Sequence, residues 1–290
     1  MDFQLSDEQR ALRDGFRDLL AGRFGREAMR DAVERGTLDR GLWKELGDAG
    51  LFALCLPEAD GGVGLGPPEA VLVFEEAGRA LLPGPLVATH LAAGSVKGAD
   101  TGDTVVTAVH GGLVEWLADA DQVRGDASGA RAIRSVDPLT PLHRIAPPHS
   151  EMPDVAVLLT AALQLGSAGR TTEMAVRYAG EREQFGRPIG SFQAVKHLCA
   201  QMLVRTELAR AAVYAAAVTG DGLEAAGAKL LADEAAVRNA RDCLQVFGGM
   251  GFTWEADVHL HLKRAWVRAG QGPTAAQVED RFAEALQGVV

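Results

Sequence analysis

The stretch Glu181-Arg-Glu-Gln-Phe-Gly-Arg-Pro-Ile-Gly-Ser-Phe-Gln193 constrains this chain more than any other. It separates two long runs, 155–180 and 192–219, in which Ala, Leu and Val recur at helical spacing. Gly186 and Gly190 read as helix-stop glycines, and Pro188 lacks the backbone N–H that a helix interior needs. The two runs therefore turn at this corner, which presents Arg182, Gln184 and Phe185 between rigid elements. Arg182 is a planar fork of N–H donors suited to a phosphate, and Phe185 is an apolar plate beside it. Taken alone, these residues fit a plain helix-loop-helix corner with a surface arginine equally well.

A second stretch, Leu244-Gln-Val-Phe-Gly-Gly-Met-Gly-Phe-Thr-Trp254, closes a helical run that begins at 223. Gly248, Gly249 and Gly251 let backbone come close to a ligand, and Gln245 adds an amide. In order and spacing, the two stretches together resemble the C-terminal helical domain of the acyl-CoA dehydrogenase family. The resemblance covers roughly residues 150–268 well and 1–85 fairly, and it fails between them. It implies FAD as cofactor, with Arg182, Gln184, Phe185, Phe192, Gln193, Gln245, Val246, Gly248 and Gly249 as the residues that would hold it. In tetramers of that family, the ADP half of the flavin crosses to these segments of a neighbouring subunit.

Composition sets the outer limits. The 290 residues are enough for one large or two ordinary domains, and 47% hydrophobic content supplies a sizeable core. The Ala/Leu/Glu/Arg bias points to a mainly α protein. A net charge of −10 without a basic tract argues against nucleic acid as a partner. No apolar run of membrane-spanning length and no signal-peptide pattern is present, so the expected location is the cytoplasm, without membrane attachment. Cys55, Cys199 and Cys243 are too scattered for a disulfide framework or a zinc site. His259 and His261, two apart, fall on different sides of a helix, so no metal site is expected.

In chain order, Ser6 and Gln9 form a capping box ahead of a helix over 5–24. Further helices are expected at about 40–50 and 67–82, with a glycine-rich loop, Gly61 to Gly66, between them. Thr104–His110 and Leu113–Leu117 read as strands within a segment otherwise rich in Asp, Gly, Ser, Arg and Pro. From 153 onward, helices are predicted at about 154–184, 191–219, 223–247, 256–268 and 274–287, joined by short loops. The expected fold is mainly α and acyl-CoA dehydrogenase-like. It has N-terminal helices (1–85), a reduced middle segment with a few strands (86–152) and a C-terminal antiparallel four-helix bundle domain (153–290).

Two parts that the resemblance calls for are missing. Family members carry a larger β-domain, with Thr-Glu-Pro-x-Ala-Gly-Ser-Asp-like and Trp-Ile-Thr-like segments under the flavin ring. Only 67 residues separate Pro85 from Pro153 here, and neither segment occurs. The family also uses a Glu to take the α-proton of the thioester. Its two alternative positions fall on Ala156 and on Gln271, or on Pro273 without the gap. None of these side chains is a base near neutral pH. Asp154, Glu255 and Asp257 are the nearby acids that could replace it.

A divided enzyme accounts for both losses. The chain resembles the shorter, non-catalytic subunit of the α2β2 acyl-CoA dehydrogenases of actinobacterial steroid side-chain degradation. That resemblance implies a longer partner subunit holding the Glu, the flavin ring and most of the acyl-CoA, with electron-transfer flavoprotein or a similar acceptor. The alternatives are a self-sufficient homo-oligomeric flavoenzyme with an unusual base, and a non-enzymatic helical scaffold derived from the family.

Overall fold

The computed structural model describes residues 4–146 and 151–287. Its N-terminal part holds α1 (Asp7–Arg23), α2 (Arg26–Arg35), α3 (Arg40–Asp48), α4 (Pro67–Arg79) and α5 (Leu86–Ala92). The capping box is formed as expected: Ser6 Oγ accepts from Gln9 N–H, and Gln9 Oε1 accepts from Ser6 N–H. Helices α2 and α5 were not predicted. The seven residues of α5 follow Pro83-Gly84-Pro85 and are almost wholly buried, so they show neither length nor a polar face.

The middle segment is built from five strands of three residues each, more than the two predicted. β1 (Val106–Ala108) pairs in parallel with β3 (Gln122–Arg124). β5 (Leu142–Arg144) lies between β2 (Leu113–Glu115) and β4 (Arg131–Ile133), antiparallel to both. Strands this short have little stability of their own. A buried arginine supplies an anchor. Arg264 Nε pairs with Asp137, Nη2 donates to Leu139 O at 3.1 Å, and Nη1 donates to Leu82 O at 3.1 Å. Arg264 is 3% exposed and Asp137 0%.

The C-terminal part contains α6 (Asp154–Glu181), α7 (Gln193–Thr219), α8 (Gly222–Phe247), α9 (Val258–Ala269) and α10 (Ala275–Gln287), close to the predicted spans. Helices α6, α7 and α8 pack mutually, and α9 joins α8, completing the expected bundle. Alanines at 161, 162, 168, 228, 232 and 236 fill this seam, so the axes lie close. Asn239 fixes the helix register. Its amide donates to Met202 O and Thr206 Oγ1, both at 2.9 Å, and to Thr172 Oγ1 at 3.1 Å, while Arg205 Nε donates to its Oδ1 at 2.7 Å. Helix α4 lies against α6 through Gly78 and Gly166, where any side chain would strike the opposite backbone. The main core is therefore continuous from Phe16 and Trp43 through Phe74 to Leu159 and Val213. Among the described residues, no helix is long and apolar enough to cross a membrane.

Candidate functional site

Helix α6 stops at Glu181, where Arg182 turns to extended backbone. The chain then forms a small hairpin of β6 (Glu183–Gln184) and β7 (Arg187–Pro188), with Glu183 opposite Pro188 and Gln184 opposite Arg187. Phe185 and Gly186 make its two-residue turn, at φ 55° and 77°, as a primed turn requires. Gly186 thus serves a hairpin and is not a helix stop. Gly190 is not a helix stop either. It sits in the 3₁₀ turn 189–191, pressed against α6, where a Cβ would lie 2.9 Å from Ala179 O.

A bulky side chain at positive φ is a steric outlier. Phe185 also remains 92% exposed. Within the chain it meets Phe192 edge-on, at 6.1 Å between centroids, and Arg187 covers the same Phe192 ring at 4.3 Å. Arg182 and Gln193 are exposed as well. Among the described residues the Arg182 guanidinium has no ion-pair partner. Gln184 is exposed, and its amide donates only to Glu183 O, at 2.8 Å.

The glycine turn lies at the same end of the bundle, since Tyr178 of α6 stacks on Phe247 at the end of α8 (4.1 Å). Gly248 has φ 59° and ψ −140°, a conformation open to little but glycine. Gly249 differs: its φ is not left-handed, and a Cβ there would meet nothing within 4 Å. The fold therefore does not itself demand glycine at 249. Gln245 is exposed, whereas the Val246 side chain is buried at 6%, leaving only its backbone for any outside contact.

The positions of the missing base lie elsewhere. Ala156 is completely buried in the first turn of α6, and its carbonyl accepts from Thr160 Oγ1 at 2.8 Å. Gln271 follows α9, and its amide donates to Glu115 Oε2 at 3.3 Å. Glu115, Gln271, Arg268, His110, Thr160 and Met152 line a cavity of about 30 Å³, the size of a single water molecule. Burial pushes the Glu115 carboxyl up from its ordinary range, against the pull of Arg268 and the Gln271 hydrogen bond. Burial, and then Arg264, lowers Arg268 to about 10.

None of the acids singled out in the sequence reaches this cavity. Asp154 is exposed and faces Arg281 at 3.9 Å. Glu255 is exposed, and Asp257 is held by Arg26 and Arg30. The carboxylate that does reach it, Glu115, had no signal beyond its place in a predicted strand.

Two family models match the chain. The acyl-CoA dehydrogenase N-terminal domain matches residues 6–101 and the acyl-CoA dehydrogenase C-terminal domain residues 154–283. The acyl-CoA dehydrogenase IpdE2 of Mycobacterium tuberculosis is 36% identical over 299 residues, covering 89% of this chain and 91% of the relative. The chain belongs to the acyl-CoA dehydrogenase family. A second relative from that organism, acyl-CoA dehydrogenase FadE34, is 35% identical over 90% of this chain, but the match spans only 45% of the relative. Among solved structures, a glutaryl-coenzyme A dehydrogenase complex with glutaryl-CoA superposes at TM-score 0.85 and 20% identity, covering 100% of this chain and 98% of that one. The ChsE4-ChsE5 complex from Mycobacterium tuberculosis superposes at 0.84 and 24%, covering 99% of each chain. These two likenesses establish the shared fold. As a family member, the chain falls in the oxidoreductase class, and the family implies FAD.

Proposed function

We propose that this chain is the non-catalytic subunit of a heteromeric FAD-dependent acyl-CoA dehydrogenase, lending the ADP and pyrophosphate half of the FAD site to a longer partner. The observation that carries this reading is the contrast between the strained, exposed Phe185 beside Arg182, which has no ion-pair partner among the described residues, and the small cavity at Gln271. An aromatic held at positive φ with no deep contact in its own chain gains most from a surface brought by another molecule. The residues present suit FAD. Arg182 would meet the pyrophosphate, Gln184 and Gln245 would offer amides, Phe185, Phe192 and Gln193 would flank the ADP moiety, and the backbone of Val246, Gly248 and Gly249 would allow close approach. When bound, FAD supplies hydride acceptance from the β-carbon of the thioester. At Gln271 the cavity of about 30 Å³ falls far below the roughly 300 Å³ at which ligand pockets begin, so the reacting end of the acyl-CoA would belong to the partner.

The division of the chain at 85 and 152 follows the same scheme. The first and third parts carry all the helices but α5, which opens the second part, and the rest of the second part would be a reduced remnant of the β-domain. The α2β2 arrangement, a steroid side-chain CoA thioester as substrate, electron-transfer flavoprotein as acceptor and a cytoplasmic location are part of the proposal. The FadE34 match favours it, because more than half of that relative lies outside the region shared with this chain. Co-expression with a longer homologue tests it. A yellow, active complex formed from a colourless short chain is expected, and a yellow short chain turning over substrate alone would overturn it.

One observation favours a self-sufficient enzyme: a carboxylate with a raised pKa sits against Gln271, where the family places its base. In that reading Glu115 takes the α-proton after the cavity opens. Glu115→Gln separates the two, because it silences a self-sufficient enzyme and leaves a partner-dependent one active.

A further inference from the structure

Arg17, Arg26, Arg79 and Arg170 line a cleft of about 310 Å³ between α1, α2, α4, α6 and α9. It shares no lining residue with the Gln271 cavity and none with the corner at 182–193. Its walls are apolar, from Leu20, Phe24, Leu81 and Met174 among others. The charges around it form two chains. In the first, Arg17 grips Glu76 through two hydrogen bonds of 2.9 and 2.6 Å, and Arg79 reaches Glu76 at 3.3 Å and Glu173 at 2.7 Å. Arg170 approaches Glu173 only to 3.7 Å, beyond hydrogen-bond range. Arg17 also approaches Asp14 at 3.8 Å, a carboxylate that Arg13 holds at 2.8 Å, so four arginines share three carboxylates. In the second, Arg26 and Arg30 share Asp257 alone.

Each chain is one anion short, in a protein whose net charge is −10. His261 adds an uncharged polar ring. It is buried, lines the cleft and meets Ser167 Oγ through Nδ1 at 2.8 Å.

We propose that this cleft binds a small amphipathic carboxylate, with its head group at Arg170 and its hydrocarbon chain over Leu20, Phe24 and Met174. The excess guanidinium favours the anion, and the walls favour the chain. At the roughly 30 Å³ per molecule of liquid water, about 310 Å³ holds on the order of ten non-hydrogen atoms, the size of octanoate. The test is isothermal titration calorimetry of octanoate and octanol against the full chain, alone and in complex with its partner. Saturable one-to-one binding of octanoate in both states is expected, with octanol far weaker. Arg170→Gln should weaken octanoate about tenfold, and Met174→Trp, which fills the cleft, should abolish binding while circular dichroism stays unchanged. Equal affinity for octanol, no saturation up to millimolar octanoate, or unchanged affinity in both variants would overturn the proposal. Binding to the free chain that vanishes in the complex would also overturn it, assigning the cleft to an acidic side chain of the partner.

Discussion

The two ends of the functional surface differ in how far each is finished. At the 182–193 corner and the glycine turn, polar and aromatic groups point outward with few contacts in their own chain. At Gln271 the side chains are turned in on one another, and Glu115, Gln271 and Arg268 line a space the size of about one water. The first region is incomplete without another surface. The second is complete without a substrate. On the proposed reading, the first region is the half of a composite site that this chain keeps, and the second is the half that has filled in.

Five perturbations break or sharpen this contrast. Arg182→Ala removes a charge-assisted donor worth roughly 1.5–3 kcal/mol, so FAD affinity of the assembled complex should fall about ten- to a hundredfold, read by flavin fluorescence at limiting FAD. Gly249→Val places a branched side chain where the chain itself leaves room. Flavin retention should drop about tenfold with unchanged far-ultraviolet circular dichroism, and unfolding instead would mark this glycine as structural.

The third concerns pH. Burial, and secondarily Arg170 and Arg264, depresses His261 to about 3, whereas the unfolded ring titrates near 6.5. Between those values the unfolded chain binds the proton more readily, so stability is full above about pH 6.5 and declines as pH falls toward 3. Glu115 acts oppositely, since its raised pKa favours protonation in the fold. The melting temperature should therefore fall from pH 7 to 4.5, and His261→Asn should flatten that slope.

Phe185→Asn relieves left-handed strain of about 1 kcal/mol. It should raise the melting temperature of the isolated chain by about 2 °C while weakening flavin retention. The smallest effect belongs to Glu115→Gln. Turnover of the complex should stay within a few-fold of the parent, where loss of a working base would cost roughly 10²–10⁴-fold.

Much of this contrast was legible in the sequence. Helices α6 to α9 span many turns, so their apolar period could be read and the corner and glycine turn located between them. The outward half of the site followed, because its residues lie in two contiguous stretches. The inward half did not. A three-residue strand shows less than two periods of alternation, which hid β3, β4 and β5. Glu115 gains its meaning from Gln271, 156 positions away, and nothing local marks it. The helix-stop reading of Gly186 failed for a related reason: a glycine at positive φ serves a hairpin turn as well as a helix end.

Arg264 reaches back 127 positions to Asp137 and 182 to Leu82. Contacts of such sequence separation are entropically costly to close and form slowly. Contacts between neighbouring helices of α6 to α9 are therefore expected to precede the docking of the short strands around Asp137. The middle segment is therefore expected to be the last part of the fold to gain protection in pulsed hydrogen exchange.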